Sequence, residues 1–135
     1  MGCLAALAAV AAVLVFLLFT VMNTVEKETT AMAEVLLQAI VEQDADRAYA
    51  LAYPGIASRE KFDQDFAQMC AVWRDGGGGD VFTLRRTSYS MNSSGGVTHR
   101  ISAYKVTSGQ ARFVLRLSRM ALGETTGITA AQLGR

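Results

Sequence analysis

At 135 residues the chain has room for one domain only. Its formal net charge is +1 and 51% of its residues are apolar, but these averages hide an apolar N-terminal segment and a more polar remainder. Nucleic-acid binding is disfavoured, because the basic residues belong to no known motif and the acidic helices would repel phosphate.

The apolar segment covers residues 3–22, which contain no charge and no helix breaker. At about 1.5 Å of rise per residue, these ~20 residues would span roughly 30 Å, the thickness of a hydrocarbon core. We predict that residues 1–23 form a single-pass transmembrane anchor, with a cleaved secretory signal as the alternative. The flanking charges are too few for the positive-inside rule. The very short N-terminus favours an inner-membrane protein whose residues 24–135 lie on the periplasmic or extracytoplasmic side.

Beyond this segment the sequence predicts an amphipathic helix followed by a short second helix. Apolar residues recur at i, i+3 and i+4 spacing, namely Met32, Val35, Leu36, Ala39 and Ile40. Asp44 and Asp46 indicate an interruption with an N-cap, and the Tyr-Pro-Gly sequence at residues 53–55 ends the second helix.

A third helix carries the strongest periodic signal. Ser58 is a good N-cap, and Glu60 lies in the first turn, where the helix dipole favours an anion. The apolar stripe of this helix is Phe62, Phe66, Met69 and Trp73, which we interpret as core and not as a cofactor site. Four glycines at residues 76–79 are expected to end the helix and to act as a flexible joint.

After residue 80 the apolar pattern changes to a period of two, which is typical of strands. Turn sequences at residues 92–96 and 107–110 would join three strands as antiparallel neighbours, and one more short strand is expected around Ile128. We therefore predict an α+β fold. In this fold two to three helices pack on one face of a three- to four-stranded antiparallel sheet, after the N-terminal transmembrane helix.

Charge differs between the predicted helices and the predicted strands, because the helical region is acidic and the strand region is basic. Residues 81–123 contain no acid, and their basic residues are Arg85, Arg86, Arg100, Lys105, Arg112, Arg116 and Arg119. We place a two-residue hairpin loop at Ser108 and Gly109. The resulting cross-strand pairs on one face are Lys105 with Arg112, Ala103 with Val114, Ile101 with Arg116, and His99 with Ser118.

That face is the candidate site, and its members are His99, Ile101, Lys105, Arg112, Val114 and Arg116. Like charges directly across a sheet are destabilising unless they reach water or an anion. The face is interpreted either as a solvated sheet surface or as a docking surface for an acidic or anionic partner, including anionic lipid headgroups.

Two segments carry a family resemblance: residues 44–54 (DADRAYALAYP) and residues 58–62 (SREKF). With the order of the predicted elements, they resemble small bacterial proteins of the nuclear transport factor 2-like (cystatin-like) superfamily. The resemblance implies a cone-shaped fold over residues 24–135, with helices closing over a curved sheet. It also implies a range of roles, from enzymes with an internal pocket to inert assembly modules in inner-membrane secretion machines.

No catalytic, cofactor-binding or metal-ligating residues are assigned, and no enzymatic activity is expected. His99 is the only histidine, so a His-based metal cluster is unavailable. We expect a membrane-anchored, non-catalytic interaction or assembly module whose partners are other membrane or envelope proteins. The alternatives are a binder of a small hydrophobic or anionic ligand in the cone, and a pilin-like subunit. The pilin-like hypothesis requires a Glu near the start of the apolar run, where this chain has no charge.

Overall fold

In the computed structural model, the backbone is described for residues 2–135 and the side chains for residues 8–17 and 27–135. Within these residues, three helices come first: α1 (Gly2–Glu42), α2 (Ala45–Tyr49) and α3 (Arg59–Asp75). They are followed by the strands β1 (Thr83–Ser94), β2 (Val97–Ser108), β3 (Ala111–Leu122) and β4 (Thr125–Gly134). The strands form one antiparallel sheet in the order β1-β2-β3-β4. The predicted α+β class is confirmed.

The chain divides into two compact units, residues 1–31 and residues 32–135. Among the described residues, no helix has the length and apolar character needed to cross a bilayer. The predicted anchor over residues 1–23 falls partly outside the described side chains. The tether and the domain boundary after residue 23 therefore stay predictions.

The last turns of α1 contribute one apolar face to the core of the second unit. The buried residues there are Ala33, Leu36, Leu37, Ala39 and Ile40, while Met32 and Val35 are half-buried. The helix ends at Glu42, because Gln43 takes a positive φ of 56°. Asp44 then caps α2, and its carboxylate accepts a hydrogen bond from the Arg47 backbone N–H at 3.1 Å. The predicted interruption is confirmed, with Asp44 as the N-cap, while Asp46 lies in the first turn of α2.

Helix α3 begins and packs as the sequence predicts. The Ser58 hydroxyl accepts a hydrogen bond from the Lys61 backbone N–H at 3.2 Å, which satisfies one free donor of the first turn. Phe66, Met69 and Trp73 are buried, and Phe62 is half-buried. The apolar stripe of α3 is therefore core.

Two of the four glycines at residues 76–79, Gly76 and Gly78, are packed against aromatic rings. A Cβ on Gly76 would lie 2.5 Å from Cε1 of Phe113, and one on Gly78 would overlap the indole of Trp73. The Gly79 N–H donates to the Ser108 hydroxyl at 2.9 Å. The glycines were expected to form a flexible joint, but the structure shows instead that the backbone approaches these rings closely. Only a residue without a side chain fits against the rings.

Three two-residue loops connect the strands, and each begins with a glycine at positive φ: Gly95, Gly109 and Gly123. The predicted loop at Ser108 and Gly109 is wrong by one position, because Ser108 pairs with Ala111 and the loop is Gly109-Gln110. The turn geometry explains the correction, since two-residue hairpin turns need φ > 0 at their first central residue.

The sheet buries one of its two faces. The buried positions on the central strands β2 and β3 are Ser102, Tyr104, Val106, Ser108, Phe113, Leu115, Leu117 and Arg119. They alternate along each strand with exposed or half-buried positions, as the two-residue period requires. We call this side the core-facing side.

The C-terminal strand is longer than expected, since β4 covers ten residues around Ile128. The segment after α2 pairs with the outer edge of β4 through a parallel bridge between Ala52 and Ile128. The Tyr53 N–H donates to the Ile128 carbonyl, and the Ile128 N–H donates to the Leu51 carbonyl, both at 2.9 Å. These bonds hold the segment between α2 and α3 against the sheet.

Candidate interaction surface

All six candidate residues lie on the side of the sheet opposite the core. His99, Lys105, Arg112 and Arg116 are exposed, as are the apolar side chains of Ile101 (52% exposed) and Val114 (39% exposed). An exposed aliphatic residue by itself needs no explanation, but Val114 lies opposite Lys105 and between Arg112 and Arg116 along β3, and together they form a mixed surface of the kind proteins use for association. Its role as a partner surface stays a prediction.

The cross-strand pairs on this side differ from those expected, because the hairpin loop is displaced by one residue. Lys105 lies opposite Val114, and not opposite Arg112. The remaining corrected pairs are Thr107 with Arg112, Ala103 with Arg116, Ile101 with Ser118, and His99 with Met120. The like-charged pair predicted between β2 and β3 is therefore absent from the described register.

A like-charged pair does occur, on the neighbouring strand. Arg85 of β1 is the direct partner of Lys105. Directly opposed side chains have Cβ atoms about 4.5–5.5 Å apart, so two cations there repel each other unless water or an anion separates them. We define the outer face as Arg85 together with the six candidate residues.

Sequence reasoning did not select Arg85, because a β-bulge decides its orientation. The register of β1 with β2 shifts between Arg86 and Ser88, which leaves Thr87 as the extra residue. Without that shift, Arg86 would oppose Lys105 and Arg85 would turn to the core-facing side. The one available signal was the pair of adjacent arginines, which must occupy opposite sides of a strand.

Among the residues whose side chains the structure describes, no carboxylate pairs with the cations of the outer face. Within the described residues, ion pairs to Asp or Glu are formed by Arg47, Arg59 and Lys61, all of which belong to the helices. Neither Arg85 nor Lys105, Arg112 or Arg116 has an acidic oxygen within 4.0 Å in this part of the chain. The outer face therefore carries uncompensated positive charge that is available to a partner.

Arg59 shows the contrasting case, since its charge is neutralised within the domain. Its Nη2 lies 2.6 Å from Oδ1 of Asp46, and its Nε lies 2.8 Å from Oδ1 of Asp63. The hydrogen bond to Asp63, followed by that to Asp46, raises the pKa of Arg59 above its ordinary value. The guanidinium also lies 4.9 Å from the ring centre of Tyr49. Arg59 thereby connects α2 to α3.

A groove of about 740 Å³ adjoins the outer face. Its lining includes Lys61, Asp65 and Gln68 from α3, together with Val114 and Arg116. It also includes residues 129–134 of β4, which alternate between the two faces of the sheet. The groove therefore follows the edge of β4 beyond the bridge at Ile128. Val114 and Arg116 are therefore shared between the outer face and a concave surface.

The described residues hold no group of three or more His, Cys, Asp or Glu placed to bind a metal ion. His99 is exposed on the outer face beside Met120. Cys70 of α3 is half-buried, and its thiol lies 3.8 Å from the Ile40 carbonyl. Burial raises the pKa of Cys70, and the charge of Arg74 opposes part of that rise. A thiol with a raised pKa is a poor nucleophile at neutral pH.

No protein-family model matches this sequence, and no curated protein matches it. Among solved structures, the chain is similar to an NTF2-like protein of unknown function from Pseudomonas putida KT2440. The sequence identity is 9% and the TM-score is 0.49, over 83% of this chain and 87% of the other.

Proposed function

We propose that this protein is a non-catalytic interaction module, tethered to the inner membrane by residues 1–23, whose outer face binds an acidic protein partner in the cell envelope. The observation that carries this proposal is the charge of the outer face. Four exposed basic side chains share this face with two exposed apolar ones, and no acidic side chain of the described residues neutralises them.

An acidic partner would gain from both parts of this surface. Carboxylates beside Arg85 and Lys105 would replace a repulsive contact by attractive ones, and complementary charge of this kind raises the association rate and selects the partner. Ile101 and Val114 would lose contact with water on binding, and burial of apolar surface favours association.

Site-specific photo-crosslinking in native membranes tests the partner directly. A photoreactive phenylalanine analogue at Ile101, on the outer face, is expected to crosslink to a protein through an acidic segment. The same analogue at Ala67, which is exposed on α3, is the control and should not give that product. Crosslinks from position 101 to phospholipid alone would assign the face to anionic headgroups instead.

Charge reversal tests the electrostatic argument. The variant Arg112→Glu/Arg116→Glu should give at least tenfold less crosslinked product. Its unfolding midpoint should not change, because both side chains are exposed. Arg74→Glu on α3, compared with Arg116→Glu alone, makes the same change in net charge away from the face and should retain the product. The crosslink should weaken with added salt, as contacts between exposed charges do. Equal losses from both single variants would contradict the proposal.

The tether and its orientation need their own measurement. Full-length protein should remain with the membrane after alkaline carbonate extraction. Protease added from the extracytoplasmic side should cleave residues 24–135. Release by carbonate, or cleavage from the cytoplasmic side only, would contradict the proposed location while leaving the outer face open to test.

We also propose that the domain belongs to the nuclear transport factor 2-like superfamily, with the cone-shaped arrangement that the resemblance implies. The sequence segments named for that resemblance, and the order of three helices before an antiparallel sheet, support this. One observation favours the pilin-like alternative, since helix α1 is continuous from Gly2 to Glu42. The absence of an acidic residue from residues 3–22 weighs against it.

A further inference from the structure

Not all basic residues of the sheet belong to the outer face. Arg100 of β2 lies two positions before the buried Ser102, and Arg119 of β3 lies two positions after the buried Leu117. Residues two apart on a strand share one face, so both arginines lie on the core-facing side. Arg119 is only 5% exposed, and Arg100 is half-buried.

Arg100 and Arg119 are direct cross-strand partners. The Cβ atoms of the two arginines are thus about 4.5–5.5 Å apart on the side of the sheet that faces the core. Arg119 is oriented toward β4 by a hydrogen bond from its Nε to Oγ1 of Thr126 at 2.9 Å. A positive charge removed from water, such as that of Arg100, is normally compensated by an anion or by hydrogen bonds to an acceptor.

Two polar atoms next to this pair lack a partner within the structure. The Nε of Arg100 and the Oγ of Ser102 are both buried, and neither makes a hydrogen bond. Ser102 as a whole is fully buried. Buried polar atoms are satisfied in the great majority of cases, so two unsatisfied ones on the same face of one strand indicate a missing acceptor. No carboxylate of the described residues forms an ion pair with Arg100.

We propose that Arg100, Arg119 and Ser102 form a binding site for one oxyanion group, the carboxylate or phosphate of a small molecule. The planar guanidinium of Arg100 presents two N–H groups that match such an anion in bidentate geometry. The Ser102 hydroxyl can donate one further hydrogen bond, and the charge of Arg119 adds attraction in a site with little water. This site is on the opposite side of the sheet from the outer face and does not depend on the function proposed there.

The test uses full-length protein in detergent, with inorganic phosphate and citrate as separate probes at constant ionic strength. One of the two is expected to raise the unfolding midpoint and to shift the NMR signal of the Arg100 Nε–H group. Arg100→Met should weaken binding of that probe at least tenfold, and Ser102→Ala at least threefold. Arg74→Met removes a charge from the exposed surface of α3, which belongs to neither proposed surface, and is the matched control, which should bind as the parent does.

The two probes distinguish a phosphate ligand from a carboxylate ligand. If Arg100→Met fails to fold, Arg100→Lys keeps the charge but loses the bidentate geometry and should still weaken binding. Equal weakening by Arg74→Met and Arg100→Met would overturn the site, because it would reduce the effect to general electrostatics. The proposal would also be overturned if neither probe shifted the NMR signal of the Arg100 Nε–H group, because neither anion would then bind at this site.

Discussion

The indole of Trp73 stacks on the phenyl ring of Phe113, with ring centres 4.7 Å apart and planes inclined by 22°. Phe82 meets the same indole edge-on at 6.1 Å, and the indole N–H donates to the Gly79 carbonyl at 3.3 Å. Trp73 therefore joins α3, the segment after it, and the sheet in one contact set.

We expect Trp73→Ala to cost about 3–5 kcal/mol of unfolding free energy, because it removes a large buried ring and leaves a cavity against Phe113. Denaturant unfolding followed by circular dichroism measures this. Ile101→Ala, on the exposed outer face, is the control and should change stability by less than about 0.5 kcal/mol. Similar losses in both variants would show that Trp73 is not a principal core residue.

Gly127 is expected to tolerate no side chain. A Cβ there would lie 2.5 Å from the backbone nitrogen of Tyr53, and the backbone of residues 52–53 cannot move without breaking its bonds to Ile128. We expect Gly127→Ala to cost about 1–3 kcal/mol, in the range of overpacked positions. Gly134→Ala, which meets open space in the same strand, should be close to neutral in the same thermal melt. An equally stable Gly127→Ala would mean that this close approach does not persist in solution.

Ser108 holds the segment after α3 to the end of β2. Its hydroxyl accepts from the Gly79 N–H at 2.9 Å and donates to the Val81 carbonyl at 2.7 Å. We expect Ser108→Ala to cost about 1–3 kcal/mol, because both backbone groups would lose their partner in a part-buried position. Hydrogen exchange of the Gly79 amide should accelerate in this variant. The exposed Ser90→Ala is the control, and unchanged exchange at Gly79 would contradict the assignment.

The thiol of Cys70 should titrate above its ordinary range, because burial raises its pKa. The folded state therefore favours the neutral thiol. The stability gained from it is complete below the ordinary thiol pKa and is lost as the pH rises through the raised value. In a Cys3→Ser background, iodoacetamide should modify Cys70 slowly at neutral pH and faster in alkaline solution. Modification at the rate of a free thiol would show that Cys70 is accessible.

Much of the architecture was predictable because it depends on local periodicity. The spacing of Phe66, Met69 and Trp73 identifies a buried helix face, and the alternation in β2 and β3 identifies strands, since side chains repeat every 3.6 and every two residues. The outer face was identified even though the hairpin loop was misplaced. Moving the loop by one residue changes each cross-strand partner by two positions, and residues two apart share a face.

The tertiary structure alone decided which of the two adjacent arginines of β1 faces outward. A bulge at Thr87 turns Arg85 to the outer face and Arg86 away from it, and no periodicity marks where an extra residue is accommodated. The two-residue period already places Arg100 and Arg119 on the core-facing side, but only the observed register pairs them directly across the sheet. The sequence by itself determined the elements and their apolar faces, because those follow from neighbours along the chain. The bulge, the arginine pair and the contact of Gly127 with Tyr53 depend on residues brought together only by folding.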